Sequence, residues 1–107
     1  MKKFNLMQIL PSLNSGGVEQ GTIDVANYLA KKENGNLIIS SGGKMLSYLN
    51  KKYVRHYELP VHSKNFLKMP LIAKKINNII KEKNINILHI RSRAPAWLLP
   101  YINKKKL

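Results

Sequence analysis

The chain has 107 residues, no cysteine, and 19 lysines and arginines against five aspartates and glutamates, for a formal net charge of +14 at pH 7. That length holds one small domain and excludes a two-domain enzyme, while a hydrophobic content of 44% excludes a disordered basic tail. The absence of cysteine excludes disulfides, thiolate metal sites and thiol nucleophiles together, and it suits a reducing, cytoplasmic compartment.

The charge ordinarily points to nucleic acid, acidic lipid or phosphorylated substrates. Its make-up is 16 Lys against three Arg, beside 12 Asn and 12 Ile, and the Lys, Asn and Ile codons are all rich in A and T. Composition therefore leaves two explanations open, the codon bias of a low-GC genome and a functional basic surface. No apolar run approaches the eighteen or so residues of a membrane span. The Met1-Lys2-Lys3 start leads into a short apolar stretch interrupted by Asn5 and Gln8, so no signal peptide is expected.

Phe4, Leu6, Met7, Ile9 and Leu10 form a short strand-like run that ends at Pro11. A turn follows at Ser12-Leu13-Asn14-Ser15-Gly16-Gly17. From Val18 the period becomes helical, through Thr22, Val25, Ala26 and Leu29, and the segment closes at Lys31-Lys32-Glu33-Asn34-Gly35 with basic residues and a terminal glycine. The pattern repeats with Leu37-Ile38-Ile39-Ser40 as a strand, a second glycine pair at Gly42-Gly43, and a short helical stretch over 45–51. Residues 54–59 read as a third strand, closed by Pro60. A long amphipathic helix then carries Met69, Leu71, Ile72, Ile76, Ile79 and Ile80 on one side, opposite Lys74, Lys75, Asn78 and Lys81, with Pro70 early enough to be tolerated. Residues 85–90 form a fourth strand, β-branched and nearly continuous, which predicts cover on both faces. Strands alternating with helices imply right-handed crossovers, hence an α/β, Rossmann-like parallel sheet of four strands in the order 3-2-1-4 with helices on both faces.

Ligands of such a sheet bind outside the carboxyl ends of its strands, near the point where strand order reverses. Four loops leave those ends, at 14–17, 40–44, 61–65 and 91–95. Gly16-Gly17 opens the first helix, where free backbone N–H groups favour an anion and two residues without Cβ let a phosphate approach; by itself the pair favours a plain tight turn over that site, since it fits neither G-x-G-x-x-G nor a P-loop. His89, Arg91 and Arg93 alternate at the end of the fourth strand, so an imidazole and two guanidiniums share one face and can converge on a phosphorylated or carboxylated ligand. Arginine is scarce here, and the codon-bias argument does not reach these residues. His62, Ser63 and Lys64 form a weaker cluster in a polar loop. No metal site is expected. The acids Glu19, Asp24, Glu33, Glu58 and Glu82 fall mainly on helix surfaces or strand ends, which argues against paired-carboxylate catalysis, and no nucleophile elbow supports a serine triad.

The run Ile9-Leu10-Pro11-Ser12-Leu13-Asn14-Ser15-Gly16-Gly17-Val18-Glu19 resembles the start of a family 4 glycosyltransferase of the GT-B type, especially the bacterial enzymes of lipopolysaccharide biosynthesis. Leu59-Pro60-Val61-His62-Ser63-Lys64-Asn65 resembles that family's loop after the third strand, and His89-Ile90-Arg91-Ser92-Arg93-Ala94-Pro95-Ala96-Trp97 its segment after the fourth. The three stretches occur in order and cover nearly the whole chain. The resemblance implies a retaining transfer of a sugar from a nucleotide diphosphate donor to a glycan or glycolipid acceptor of the cell envelope, with no cofactor or metal. It puts Gly16 and Gly17 beside the donor diphosphate and the acceptor hydroxyl, and His89, Arg91, Arg93, His62 and Lys64 on the acceptor side. No catalytic residue is assigned. Gln20 departs from the family, many of whose members carry a basic residue there.

On this resemblance residues 1–107 are a truncated amino-terminal, acceptor-side domain whose carboxy-terminal donor domain is absent, and the isolated chain is expected to be inactive. The missing domain is then expected as a separate polypeptide, and Lys74, Lys75 and Lys81 suit an anionic membrane face. Nucleic acid is not an expected partner on this reading. The rival reading is a non-enzymatic basic module that binds RNA or anionic membrane through charge alone.

Overall fold

A computed structural model describes residues 5–14, 16–32, 36–61 and 67–91. Four strands, β1 (Leu6–Ile9), β2 (Asn36–Ser40), β3 (Val54–Glu58) and β4 (Ile87–Ile90), form one sheet in the order β3-β2-β1-β4, and every pairing is parallel. The order 3-2-1-4 agrees with the sequence. Two helices, α1 (Gly17–Lys31) and α2 (Met69–Glu82), cover the sheet.

Alternation along the strands sends neighbouring side chains to opposite faces, and each face meets its own helix. Met7, Ile9, Leu37 and Ile39 pack against Met69, Ile72, Ala73, Ile76 and Ile80 of α2. Leu10, Leu13 and Ile38 join Ile23, Ala26 and Ala30 of α1 on the other face, together with Met45 and Leu49. β1 and β2 are buried on both faces for this reason, which is why their sequences run almost without polar interruption. Val18 fits the helical period but lies 45% exposed at the edge of the buried stripe of α1, and Leu71, expected on the apolar side of α2, is 65% exposed because it stands on the side of the helix turned away from Ile72, Ile76 and Ile80.

The short helical stretch is a 3₁₀ helix at Lys44–Tyr48. The fourth strand differs more from expectation. It begins at Ile87, not Ile85, and among the described residues only β1 pairs with it. Leu88 and Ile90 pack towards α2, while Ile87 remains 39% exposed and His89 is exposed, so the predicted cover on both faces is absent from the described residues. A β-branched run reports strand propensity, and it does not by itself place the strand inside the sheet.

Ile85 is used instead to end α2. Asn84 takes a left-handed conformation at φ 54°, the Ile85 N–H donates to the Ile80 carbonyl at 3.0 Å, and both isoleucines belong to the α2-side core. This is a Schellman-type stop with asparagine where glycine is commonest. The Asn5 side chain donates to the Asn84 carbonyl at 2.9 Å and anchors the turn beside the start of β1. The glycine expected to close α1, Gly35, lies outside the described residues.

Candidate functional site

Pro11 stops β1 because it cannot donate to the ladder, and the chain leaves the sheet above the ends of the strands. The loop that follows is fastened to the loop after β2. The Leu13 N–H donates to the Gly42 carbonyl at 3.0 Å, the Ser41 N–H to the Pro11 carbonyl at 2.9 Å, and the Met45 N–H to the Leu13 carbonyl at 2.8 Å. Gly43 makes this contact possible. Its φ is 153°, and a Cβ there would stand 2.4 Å from the Leu13 carbonyl carbon. The second glycine pair thus supports the first loop from beneath.

Gly16 and Gly17 differ in what they require. Gly16 has φ 127° and ψ 174°, a region essentially reserved for glycine, and its carbonyl accepts the Gln20 N–H at 3.0 Å as α1 begins. A Cβ on it would meet the Glu19 carboxylate at 3.1 Å, so that acid folds back over the start of the helix, where it suits the helix dipole. At Gly17 a Cβ would have nothing within 4 Å. The space beside Gly17 is open.

Residues of odd number on β4 share the α1 side of the sheet, which puts His89 and Arg91 on one face as their spacing predicted. His89 is in register with Gln8 of β1, and the Arg91 N–H donates to the Ile9 carbonyl at 2.9 Å. Arg91 then reaches back across the sheet, and its Nε donates to Gln8 Oε1 at 2.6 Å. Its Nη1 lies 3.7 Å from where a Cβ of Gly21 would stand, in the second turn of α1. Partial burial lowers the pKa of the guanidinium from its ordinary value, and it remains cationic at neutral pH. Desolvation, reinforced by the Arg91 charge, pushes the His89 imidazole below its ordinary 6.5. His89 is therefore mostly neutral at pH 7.

Pro11, Ser12, Val18, Glu19 and Arg91 line a pocket of about 150 Å³ between the first loop and α1. It offers donors from Arg91 and a carboxylate acceptor from Glu19, a combination that complements a hydroxyl or a hydroxyl next to an anion. A larger cleft of about 270 Å³ lies at the opposite end of the sheet, among Asn36, Lys52, Arg55, Lys83 and their neighbours. The smaller pocket is the better candidate because it stands at the carboxyl ends of β1 and β4, between which the strand order reverses. Gly16, Gly17 and Arg91 thus belong to one corner of the molecule, with His89 one pleat below Arg91 on the same face. Arg93, His62 and Lys64 lie outside the described residues. No three His, Asp or Glu side chains among the described residues come together to hold a metal ion.

Two groups escaped sequence reasoning. Gln8 is fully buried and bonds to Arg91; a single amide inside an otherwise apolar strand was the available signal. At the end of β2, Ser40 Oγ lies 2.6 Å from Nε2 of His56 in the middle of β3 and accepts the Gly42 N–H at 3.0 Å. Burial lowers the His56 pKa, against an opposing pull from Glu58. A serine, a histidine and a glutamate do meet here, but Ser40 is completely buried and unavailable to a substrate, so the group ties two strands together.

No family model matches the sequence, and no curated protein matches it. Among solved structures, the fold superimposes on the crystal structure of a glycosyltransferase from Rickettsia africae ESF-5 with a TM-score of 0.79 and 44% sequence identity, over 92% of this chain. The chain is similar to part of a glycosyltransferase. It spans 26% of the length of that protein. A match so extensive over this chain carries the Rossmann-like fold with it.

Proposed function

We propose that this chain forms the acceptor-side part of a glycosyltransferase. The observation that carries the reading is the 44% identity over 92% of the chain to a glycosyltransferase of the same fold. In finer detail the reading is a retaining enzyme of the GT-B type, family 4, which transfers a sugar from a nucleotide diphosphate donor to a cell-envelope acceptor such as a lipopolysaccharide precursor. The acceptor hydroxyl oxygen forms the new glycosidic bond at the anomeric carbon, the nucleoside diphosphate departs with the electron pair of the bond it leaves, and the hydroxyl proton passes to the departing phosphate oxygen.

The geometry supports a share of that work for this chain. Gly17 leaves open space at the head of α1 for a diphosphate or a hydroxyl. Arg91 and Glu19 offer a donor and an acceptor to the acceptor sugar, and neutral His89 stands nearby. His62, Lys64 and Arg93 are further acceptor contacts on this reading, and no metal or cofactor is required. On this reading the donor's nucleotide belongs to a second, donor-side domain. No described helix is long and apolar enough to cross a membrane, and the exposed lysines of α2 suit peripheral contact with an anionic bilayer.

The test is Gly17→Val in this chain reconstituted with the polypeptide that supplies the donor side. Because the glycine faces open space, the valine fold is expected to survive, and sugar transfer is expected to drop at least about a hundredfold as the side chain crowds the reacting groups. Salt-sensitive binding to polyanions should be unchanged. Undiminished transfer by the variant would exclude the proposed place of Gly17, and polyanion binding with no transfer by the wild-type assembly would favour the basic-module alternative.

A further inference from the structure

We propose that Gln8 is a positioning residue: it holds the Arg91 guanidinium so that the terminal nitrogens are presented to the pocket between the first loop and α1, and the pocket's affinity for an anionic group depends on that hold. The inference rests on reading this pocket as part of a transfer site, but the contact behind it belongs to the fold and can be tested without any transfer assay.

Gln8 is 0% exposed in the middle of a strand whose other residues, Leu6, Met7 and Ile9, are apolar. Burying an amide there is costly unless both its ends are bonded, whereas an aliphatic chain of the same length would fill the space without any partner. Both ends are bonded. Nε2 donates to the Thr22 carbonyl of α1 at 3.2 Å, and Oε1 accepts from Arg91 Nε at 2.6 Å. The first bond fixes the second, since turning the amide over would set its NH₂ against the guanidinium and its oxygen against a carbonyl. Thr22 is itself buried in α1, so the amide is anchored to a helix that cannot easily yield.

Arg91 is consequently held at two points, its main-chain N–H on the Ile9 carbonyl and its Nε on Gln8. Gly21 leaves room for Nη1 to pass along α1, and the guanidinium lines the pocket with Ser12 and Glu19. An arginine fixed at Nε keeps both terminal nitrogens for a ligand in a fork of set direction. Much of the ordering that binding would otherwise require has been done in advance.

The experiment uses the ¹⁵N-labelled 107-residue chain with inorganic phosphate as the probe. In the wild type the Arg91 Nε–H is expected to exchange with solvent at least about tenfold more slowly than in Gln8→Met, whose main-chain amide spectrum should otherwise be retained. Phosphate should bind Gln8→Met about tenfold more weakly, the loss of one hydrogen bond to a charged group. Gln8→Glu gives up the bond to the Thr22 carbonyl but keeps an acceptor for Nε, and it should restore the slow exchange while phosphate affinity stays low, because the carboxylate offsets the guanidinium charge. A role confined to folding would speed the Nε exchange in Gln8→Met just the same but would leave phosphate affinity equal in the wild type and both variants. The proposal is overturned if the wild-type Nε–H is unprotected, if phosphate does not shift Arg91, or if Gln8→Met binds phosphate as the wild type does. Should Gln8→Met fail to fold, rapid Nε exchange in Gln8→Glu overturns it equally. Failure of sugar transfer in the reconstituted assembly, with these results intact, would count against the transferase reading and leave the role of Gln8 standing.

Discussion

Three glycines in this molecule stand in ways that their sequence cannot distinguish. Gly16 needs its φ of 127° and Gly43 needs both its φ of 153° and the missing Cβ, whereas Gly17 needs neither. Gly16→Ala is therefore expected to cost about 1–3 kcal/mol from backbone strain. Gly43→Ala should cost more than that, because the Leu13 and Asn14 backbones must also move. Gly17→Ala should be close to neutral, and urea midpoints of the three variants would show the order. His56 supplies a second prediction at this scale. Its pKa is lowered in the folded state from 6.5, so the unfolded chain binds the extra proton first as the solution is acidified. Stability should be full above about pH 6.5 and decline as pH falls through the window between 6.5 and the depressed folded value, then level off. His89 titrates in the same sense. Thermal melts across that range should show a shallower slope in His56→Gln, and an unchanged slope would refute the assignment.

At the scale of elements, the end of α2 illustrates how a local stop depends on a single residue. Asn84 carries the left-handed turn that lets the Ile85 N–H reach the Ile80 carbonyl. Asn84→Gly should be neutral or stabilising by a few tenths of a kcal/mol, and Asn84→Ala destabilising by about 1 kcal/mol, since alanine tolerates that region less well than asparagine. Chemical denaturation would separate the two, and equal stability would mean that the stop is set elsewhere. Gly21 gives a contrasting case inside α1. A Cβ there meets only Arg91 Nη1 at 3.7 Å, an ordinary contact, so Gly21→Ala should raise stability by about 0.5–1 kcal/mol through helix propensity.

For the molecule as a whole, β4 is one of the two edges of the sheet among the described residues, β3 being the other. Among the described residues β4 pairs only with β1, and Ile87 is 39% exposed on it. An unpaired, apolar edge invites pairing with another chain, so the 107-residue polypeptide is expected to self-associate at moderate concentration. Ile87→Lys should reduce that association in sedimentation velocity without changing the far-ultraviolet circular dichroism; identical sedimentation of the two would place the contact elsewhere.

Strand order, the two βα turns, and the division of α2 into a buried and a lysine-bearing side were legible in the sequence, because they follow from the period of apolar residues and from right-handed crossover. The pairing of His89 with Arg91 on one face was legible for the same reason, since alternation is a property of any strand. The cover of β4 was not, for a run such as Ile85, Asn86, Ile87, Leu88 and His89 has the same propensity at an edge as at the centre of a sheet. Nor could sequence show that Gln8 and Arg91, 83 positions apart, would bond, or that Gly43 would lie against Leu13. Local pattern determined the elements because it acts over a few residues. Only the parallel pairing of β1 with β4, and the loops it brought together above them, decided which polar groups would meet.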